Sequence, residues 1–279
     1  MRTVDSVALA AAAEARFRSE YHYAVFEYLR SAKIATALER GGGVLRGRVL
    51  DSGCGGGGTI VSLAEEMDCA VGLDLDARFR DAGTRLATEK GRRNAHFVQG
   101  DGLALPFADA SFDLVLSHSV IEHVHSAEQY LIECHRVLKR GGRLYLSTAP
   151  HLSLAGAHLP RLRVPLPLHI LFGRRLAFRA FCWLGRHAPW ALVEGREANT
   201  FILRAEQNQA KRDDLLQKIT IQRLTRWIEH SGFRQLGQER TVTGFFRRVL
   251  PSAVRGRFER IPFLQDVMIG HVQVVLEKP

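Results

Sequence analysis

The spacing of apolar positions changes several times along the chain, and each change marks an element. Over residues 7–40 they recur every three or four residues, through Phe17, Tyr21, Val25, Tyr28, Leu29, Ile34, Ala37 and Leu38. That period predicts helix, with Gly41–Gly43 as its stop. Short apolar runs then alternate with helix-length stretches. Residues 48–51, 69–74, 95–99, 112–117 and 143–147 read as strands, and about 59–67, 77–90 and 127–138 as helices between them. Residues 151–220 break this rhythm with Pro160, Pro165, Pro167 and Pro189 among many arginines. The pattern resumes with a helix over 221–231, a Gly232 stop, and strands at 233–236 and 270–276. Alternation of this kind predicts an α/β fold, a mostly parallel seven-stranded sheet with helices on both faces. The expected organisation is an N-terminal helical cover (1–43), a core (44–150), a helical insertion or cap after the fifth strand (151–220) and a C-terminal completion of the sheet (221–279).

Ligands on such sheets sit at the carboxyl ends of the strands, so chemistry is sought there. After the first strand the chain reads Asp51-Ser-Gly53-Cys54-Gly55-Gly56-Gly57-Gly58. Glycine suits a tight strand-to-helix turn whose backbone approaches a ligand without a Cβ in the way. The second strand ends in Asp74-Leu75, and a carboxylate there can accept both hydroxyls of a ribose. Gly100-Asp101-Gly102-Leu103 follows the third strand, where a polar side chain can reach the amine of adenine.

With Ile121-Glu-His-Val124 and Cys134-His-Arg-Val-Leu-Lys-Arg-Gly-Gly-Arg143, these segments resemble a class I S-adenosylmethionine-dependent methyltransferase, nearest the broad ubiquinone/menaquinone-biosynthesis-like group. The resemblance covers about residues 44–150. It implies a Rossmann-like core and S-adenosyl-L-methionine as cofactor. By it, Asp51 and the Gly53, Cys54, Gly55 and Gly57 backbone approach the methionine part. Asp74 takes the ribose, with Leu75 beside it. Asp101 takes the adenine amine, and Gly102 and Leu103 line the ring. Ser117 and His118 flank the transferable methyl. A nicotinamide oxidoreductase is the weaker alternative, since its site requires neither Asp51 nor Asp101. A catalytically silent cofactor-binding partner protein is the other.

Charge refines the expected acceptor. The chain has 279 residues and a formal charge of +10. Residues 1–150 carry 18 Lys and Arg against 19 Asp and Glu; residues 151–279 carry 21 against 10. The excess therefore lies outside the cofactor half, and 33 of the 39 cations are Arg. A basic half can face nucleic acid, an anionic membrane or an acidic substrate. The fourth strand exits as Leu116-Ser-His-Ser119, without the Asn/Asp-Pro-Pro-aromatic motif of amino-methylating DNA enzymes, and the chain has no Pro-Cys nucleophile. Nucleic acid is therefore not the expected partner. The dense mixture of Leu, Phe, Trp and Arg over 159–186 reads as a pocket for a large apolar anion, as a peripheral membrane contact, or as core packing with solvated arginines.

Methyl transfer needs a base only where the nucleophile must lose a proton. His118 and His151 are the catalytic candidates; His123, His125 and His158 are weaker ones. The expected acceptor is an O, N or C nucleophile of a small or lipid-like metabolite, apolar with an anionic group, and a glycan or secondary metabolite is the rival. Four dispersed cysteines with no CxxC pair, and no apolar run of about 18 residues, lead to an expected cytoplasmic setting without metal. The stretch before Arg16 reads as helix, because Asp5 and Glu14 interrupt any leader-like run.

Overall fold

The computed structural model describes residues 5–16, 18–40, 45–153, 159–160, 162–164, 166–193, 200–210 and 216–279. The expected Gly41–Gly43 stop and His158 lie outside them. The chain forms two compact units: residues 1–148, 225–239 and 273–279, and residues 149–224 and 240–272.

The first unit opens with α1 (Ser6–Ala15) and α2 (Glu20–Arg40). Asp5 caps α1, its Oδ1 accepting from the Val7 and Ala8 amides at 3.0 and 2.9 Å. The single helical stretch expected over 7–40 is thus two helices. Next come β1 (Arg48–Ser52), α3 (Gly58–Leu63), β2 (Cys69–Asp74), α4 (Arg78–Glu89), β3 (Ala95–Gln99), β4 (Phe112–His118), α5 (Ala127–Val137) and β5 (Leu138–Thr148). The first four strands match the expected positions within a residue or two. β5 starts five residues early, because Leu138 already pairs with Phe112 before an irregularity in register leads into the regular run from Arg143.

The second unit holds α6 (Leu168–Leu171), α7 (Gly173–His187), a 3-10 turn (Pro189–Ala191) and α8 (Thr200–Glu206). Then follow α9 (Ile221–His230) and β6 (Arg234–Val242), six residues longer at its far end than expected. Three helices precede the last strand: α10 (Gly244–Val249), α11 (Ser252–Phe258) and α12 (Pro262–Met268). No pattern in the sequence announced them. β7 (Ile269–Glu277) completes a seven-stranded sheet in the order β3-β2-β1-β4-β5-β7-β6.

β1 pairs in parallel with β2 and β4, as do β2 with β3 and β4 with β5. The Gly141 amide donates to the Lys278 carbonyl and the Lys278 amide to the Gly142 carbonyl, so the start of β5 lies beside the end of β7, an antiparallel arrangement. Central strands buried on both faces read as continuous apolar runs, which is why Val49-Leu50 and Leu114–Leu116 are nearly inaccessible. On one face Ile34, Leu38, Ile60, Leu63 and Tyr145 pack into a single cluster. The parallel pairing brings the carboxyl ends of β1 to β5 to one edge, and every candidate cofactor residue lies at or just beyond it. Among the described residues, no helix is long and apolar enough to cross a membrane.

Candidate active site

The glycine loop leaves β1 through Gly53, Gly55 and Gly57, all with positive φ (85°, 53° and 77°), a region that side chains disfavour. The sequence reading ascribed these glycines to ligand approach. The structure gives Gly56 and Gly58 another cause, the close contact of α2. A Cβ on Gly56 would meet the Ala24 amide at 2.8 Å, and one on Gly58 the Ala24 carbonyl at 1.8 Å.

The loop spends its donors internally. Gly53 and Cys54 amides donate to the Leu73 carbonyl, Gly57 to the Cys54 carbonyl, Gly55 to Asp74 Oδ2 (2.9 Å) and Gly58 to Glu27 Oε2 (3.3 Å). Asp74 also accepts from the Asp76 amide at 3.0 Å, so the β2 carboxylate fixes both the glycine loop and its own turn. Leu75 beside it is 70 % exposed, a large apolar side chain facing water at this edge.

Acceptors concentrate where donors are spent. Asp51 is buried, and its Oδ1 has no hydrogen-bond partner among the described residues. Burial pushes its carboxyl up to about 7, opposed by Arg30 and reinforced by Asp74. Glu27 of α2, also buried, is raised to about 8 by burial, with Arg30 3.9 Å away holding it down and Asp51 adding to the rise. Burial, with Asp51, Asp74 and Glu27 near, raises the Cys54 thiol, so that it stays protonated. Tyr23 is lifted to about 12 by burial and Glu27.

Glu27 is missed in the sequence; Tyr23, with Tyr21 and His22, reads there either as part of an N-terminal helix closing over the cofactor or, the favoured reading, as aromatic helix packing. A Cβ on Gly55 would meet Glu27 Oε1 at 2.9 Å and the Tyr23 ring at 3.0 Å. No sequence signal marks Glu27, since a lone Glu on a helix normally faces water.

Asp101 is exposed, its Oδ1 accepting from the Leu103 amide at 2.9 Å in a local turn. Gly102 lies against Tyr130, whose ring a Cβ would meet at 2.9 Å. The Tyr130 hydroxyl, buried and raised in pKa, donates toward Ser117 Oγ (2.9 Å) and the Ser52 carbonyl (3.2 Å), tying the ends of β4 and β1 to α5. His118 Nδ1 lies 2.8 Å from Ser147 Oγ, and its ring stacks parallel to Tyr145 at 6.4 Å. Beyond it Ser119 adopts a positive φ of 58°, an uncommon backbone for a side-chain residue and one that functional edges favour.

His151 belongs to the second unit. Its backbone amide and its ring Nδ1 both meet the Ile219 carbonyl, at 2.9 and 2.8 Å. A carbonyl only accepts, so Nδ1 carries the proton and Nε2 is the basic nitrogen.

A family model described as a methyltransferase domain matches residues 50–146. The chain is 31% identical over 195 residues to the malonyl-acyl-carrier-protein O-methyltransferase of Erwinia billingiae, covering 70% of this chain and 73% of that protein. The chain belongs to the S-adenosylmethionine-dependent methyltransferases. It is also 34% identical over 123 residues to the uncharacterized methyltransferase YcgJ of Bacillus subtilis, 42% of this chain but only about half (49%) of that relative. A structure described as a candidate sarcosine dimethylglycine methyltransferase from Galdieria sulphuraria shares the fold, with a TM-score of 0.53, 14% identity, and coverage of 89% and 85% of the two chains. The oxidoreductase and silent-partner alternatives give way to this assignment.

The site of this methyltransferase fits its cofactor. S-adenosylmethionine carries an ammonium and a sulfonium. A buried Asp51 carboxyl whose Oδ1 lacks a partner among the described residues, with Glu27 and Asp74 close by, suits those cationic groups.

Proposed function

We propose that this methyltransferase transfers a methyl group to an O, N or C nucleophile on a small or lipid-like acceptor that is apolar and carries an anionic group. The observation that carries this reading is a cavity of about 640 Å³ within the second unit. Leu162, Leu166, Phe181 and Phe245 contribute its apolar wall; Arg163, Arg247 and Arg248 ring it, and among the described residues no carboxylate lines it. That volume suits a metabolite-sized ligand, and the mixture suits an apolar body with a negative end. The malonyl-acyl-carrier-protein relative, by its name, acts on an acidic acyl group, which accords with this reading. A nearest kinship with the ubiquinone/menaquinone-biosynthesis-like group belongs to the same proposal.

When bound, S-adenosylmethionine supplies a methyl on a positive sulfur with a neutral leaving group. The protein's share is then placement and desolvation. Asp51 would pair with the cofactor ammonium and Asp74 would accept from the ribose hydroxyls. Asp101 would accept from the adenine amine, with Leu75, Gly102 and Leu103 against the ring. The Gly53–Gly57 segment, Cys54 included, would shape the turn around the methionine part, and Ser117 and His118 would border the methyl. Where the nucleophile is a hydroxyl, His118 or His151 accepts its proton. His151 has the better-defined basic nitrogen, because the Ile219 carbonyl fixes its tautomer. A carboxylate acceptor needs neither.

The test supplies the methyltransferase with methyl-labelled S-adenosylmethionine and a cell extract, then separates lipid, acidic and neutral polar products. Label in acidic apolar products, reduced at least tenfold in Arg247→Ala/Arg248→Ala, is expected. Label only in neutral sugars or polar amines overturns the reading.

A further inference from the structure

We propose that α7 docks this methyltransferase onto an anionic lipid surface, through a face that does not line the cavity above. The two faces of α7 differ sharply. Ala177, Phe181 and Gly185 are buried and pack within the second unit, Phe181 in a cluster with Leu192 and Ile202. The opposite side should be polar if α7 were an ordinary surface helix. Instead Phe172 at its N-cap, Leu176 and Trp183 are 58, 56 and 55 % exposed. At roughly 100° per residue, offsets of four and eleven bring these three onto one stripe. Arg175, Arg179 and Arg186 follow at offsets of three, seven and fourteen, and all three are exposed beside it.

Three large apolar side chains facing water on one helix form a patch that calls for an occupant. The charge pattern selects which. From Leu159 to Val193 the sequence holds six arginines and not one Asp or Glu. A protein groove that receives a helix usually reads a mixed-sign rim, whereas an anionic bilayer rewards uniform positive charge beside inserted Trp, Phe and Leu. A ridge on one exposed helix is also the shape a flat interface accepts. Trp183 is suited to the headgroup boundary, where an amphipathic ring has both media within reach. Shallow insertion by a helix lying flat needs no membrane-crossing segment, in keeping with the short length of α7.

The inference does not depend on the acceptor. Co-sedimentation of the full chain with vesicles of phosphatidylcholine alone, or containing about 30 % phosphatidylglycerol, tests it directly. Binding to the anionic vesicles only is expected, weakening as salt rises. The triple variant Phe172→Ser/Leu176→Ser/Trp183→Ser and the charge variant Arg175→Glu/Arg179→Glu should each lose at least tenfold in partitioning. Both should keep the native circular dichroism and S-adenosylmethionine binding, because the altered side chains face solvent. The fluorescence lost on Trp183→Phe should be the part that shifts to the blue with vesicles. Binding that ignores lipid charge, or survives in both variants, overturns the proposal. So does a dimer in light scattering that the triple variant abolishes while no vesicle binding is seen; the face would then be a contact between copies.

Discussion

Cofactor binding by this methyltransferase should release a proton, and Asp51 should be its main source. Although Arg30 opposes the rise, burial still pushes the Asp51 carboxyl up to about 7, and its Oδ1 has no partner among the described residues. A raised pKa means the ionised form is penalised, so near neutrality much of the population holds a proton that an incoming ammonium must displace. If only ionised Asp51 receives the ammonium, about one molecule in eleven is competent at pH 6 and about three in four at pH 7.5. Apparent affinity for S-adenosylmethionine should therefore be about eightfold weaker at pH 6 than at pH 7.5, with close to one proton released at the lower pH. Isothermal titration calorimetry in buffers of different ionisation enthalpy measures both quantities. Asp51→Asn should bind more weakly and without this pH dependence. Glu27→Gln serves as the control, because Glu27 titrates at about 8 and lies in the same cluster. An unchanged affinity between the two pH values, or an undiminished slope in Asp51→Asn, would refute the reasoning.

Three further outcomes follow from the same geometry. Asp74→Ala should weaken cofactor binding at least tenfold, since it removes the expected ribose acceptor and also frees the Gly55 amide; binding unchanged by calorimetry sinks the assignment. Gly58→Ala should destabilise the fold by on the order of 3 kcal/mol in denaturant melts, despite the roughly 1 kcal/mol that Ala gains over Gly inside a helix. The new Cβ would meet the Ala24 carbonyl at 1.8 Å, a backbone atom that no rotamer change can clear, so overpacking wins; an equally stable variant refutes this. Glu27→Gln should flatten the pH dependence of stability. The folded state holds a proton that the unfolded chain releases above about pH 4.5, so stability is greatest below that value and falls as pH rises toward 8. With a ceiling on the order of 4 kcal/mol for this span, melts at pH 5 and 8 should separate the two proteins; parallel curves would count against the buried-carboxyl explanation.

Much of the cofactor half was legible because its signals are local. A strand buried on both faces must be apolar along its length, so Val49-Leu50 and Leu114–Leu116 announce themselves. The turn that follows β1 must be glycine-rich whatever else surrounds it. Asp74 could be picked out because the parallel topology puts the end of each strand at the same edge. Sequence alone therefore determined the alternation of strands and helices, the family and the cofactor.

Tertiary contact decided the rest. Glu27 is separated from Gly58 by 31 residues, and only the packing of α2 on the loop turns a routine helical Glu into a buried carboxylate beside Asp51. The same packing changed the reason for Gly56 and Gly58, from ligand approach to helix contact. In α7, Ala177-Phe181-Gly185 and Phe172-Leu176-Trp183 are two apolar stripes on opposite sides of one helix. Periodicity finds both and cannot choose between them, because burial is a property of what lies opposite. Local pattern fixes which residues share a face; only the assembled fold decides whether that face meets protein or the outside.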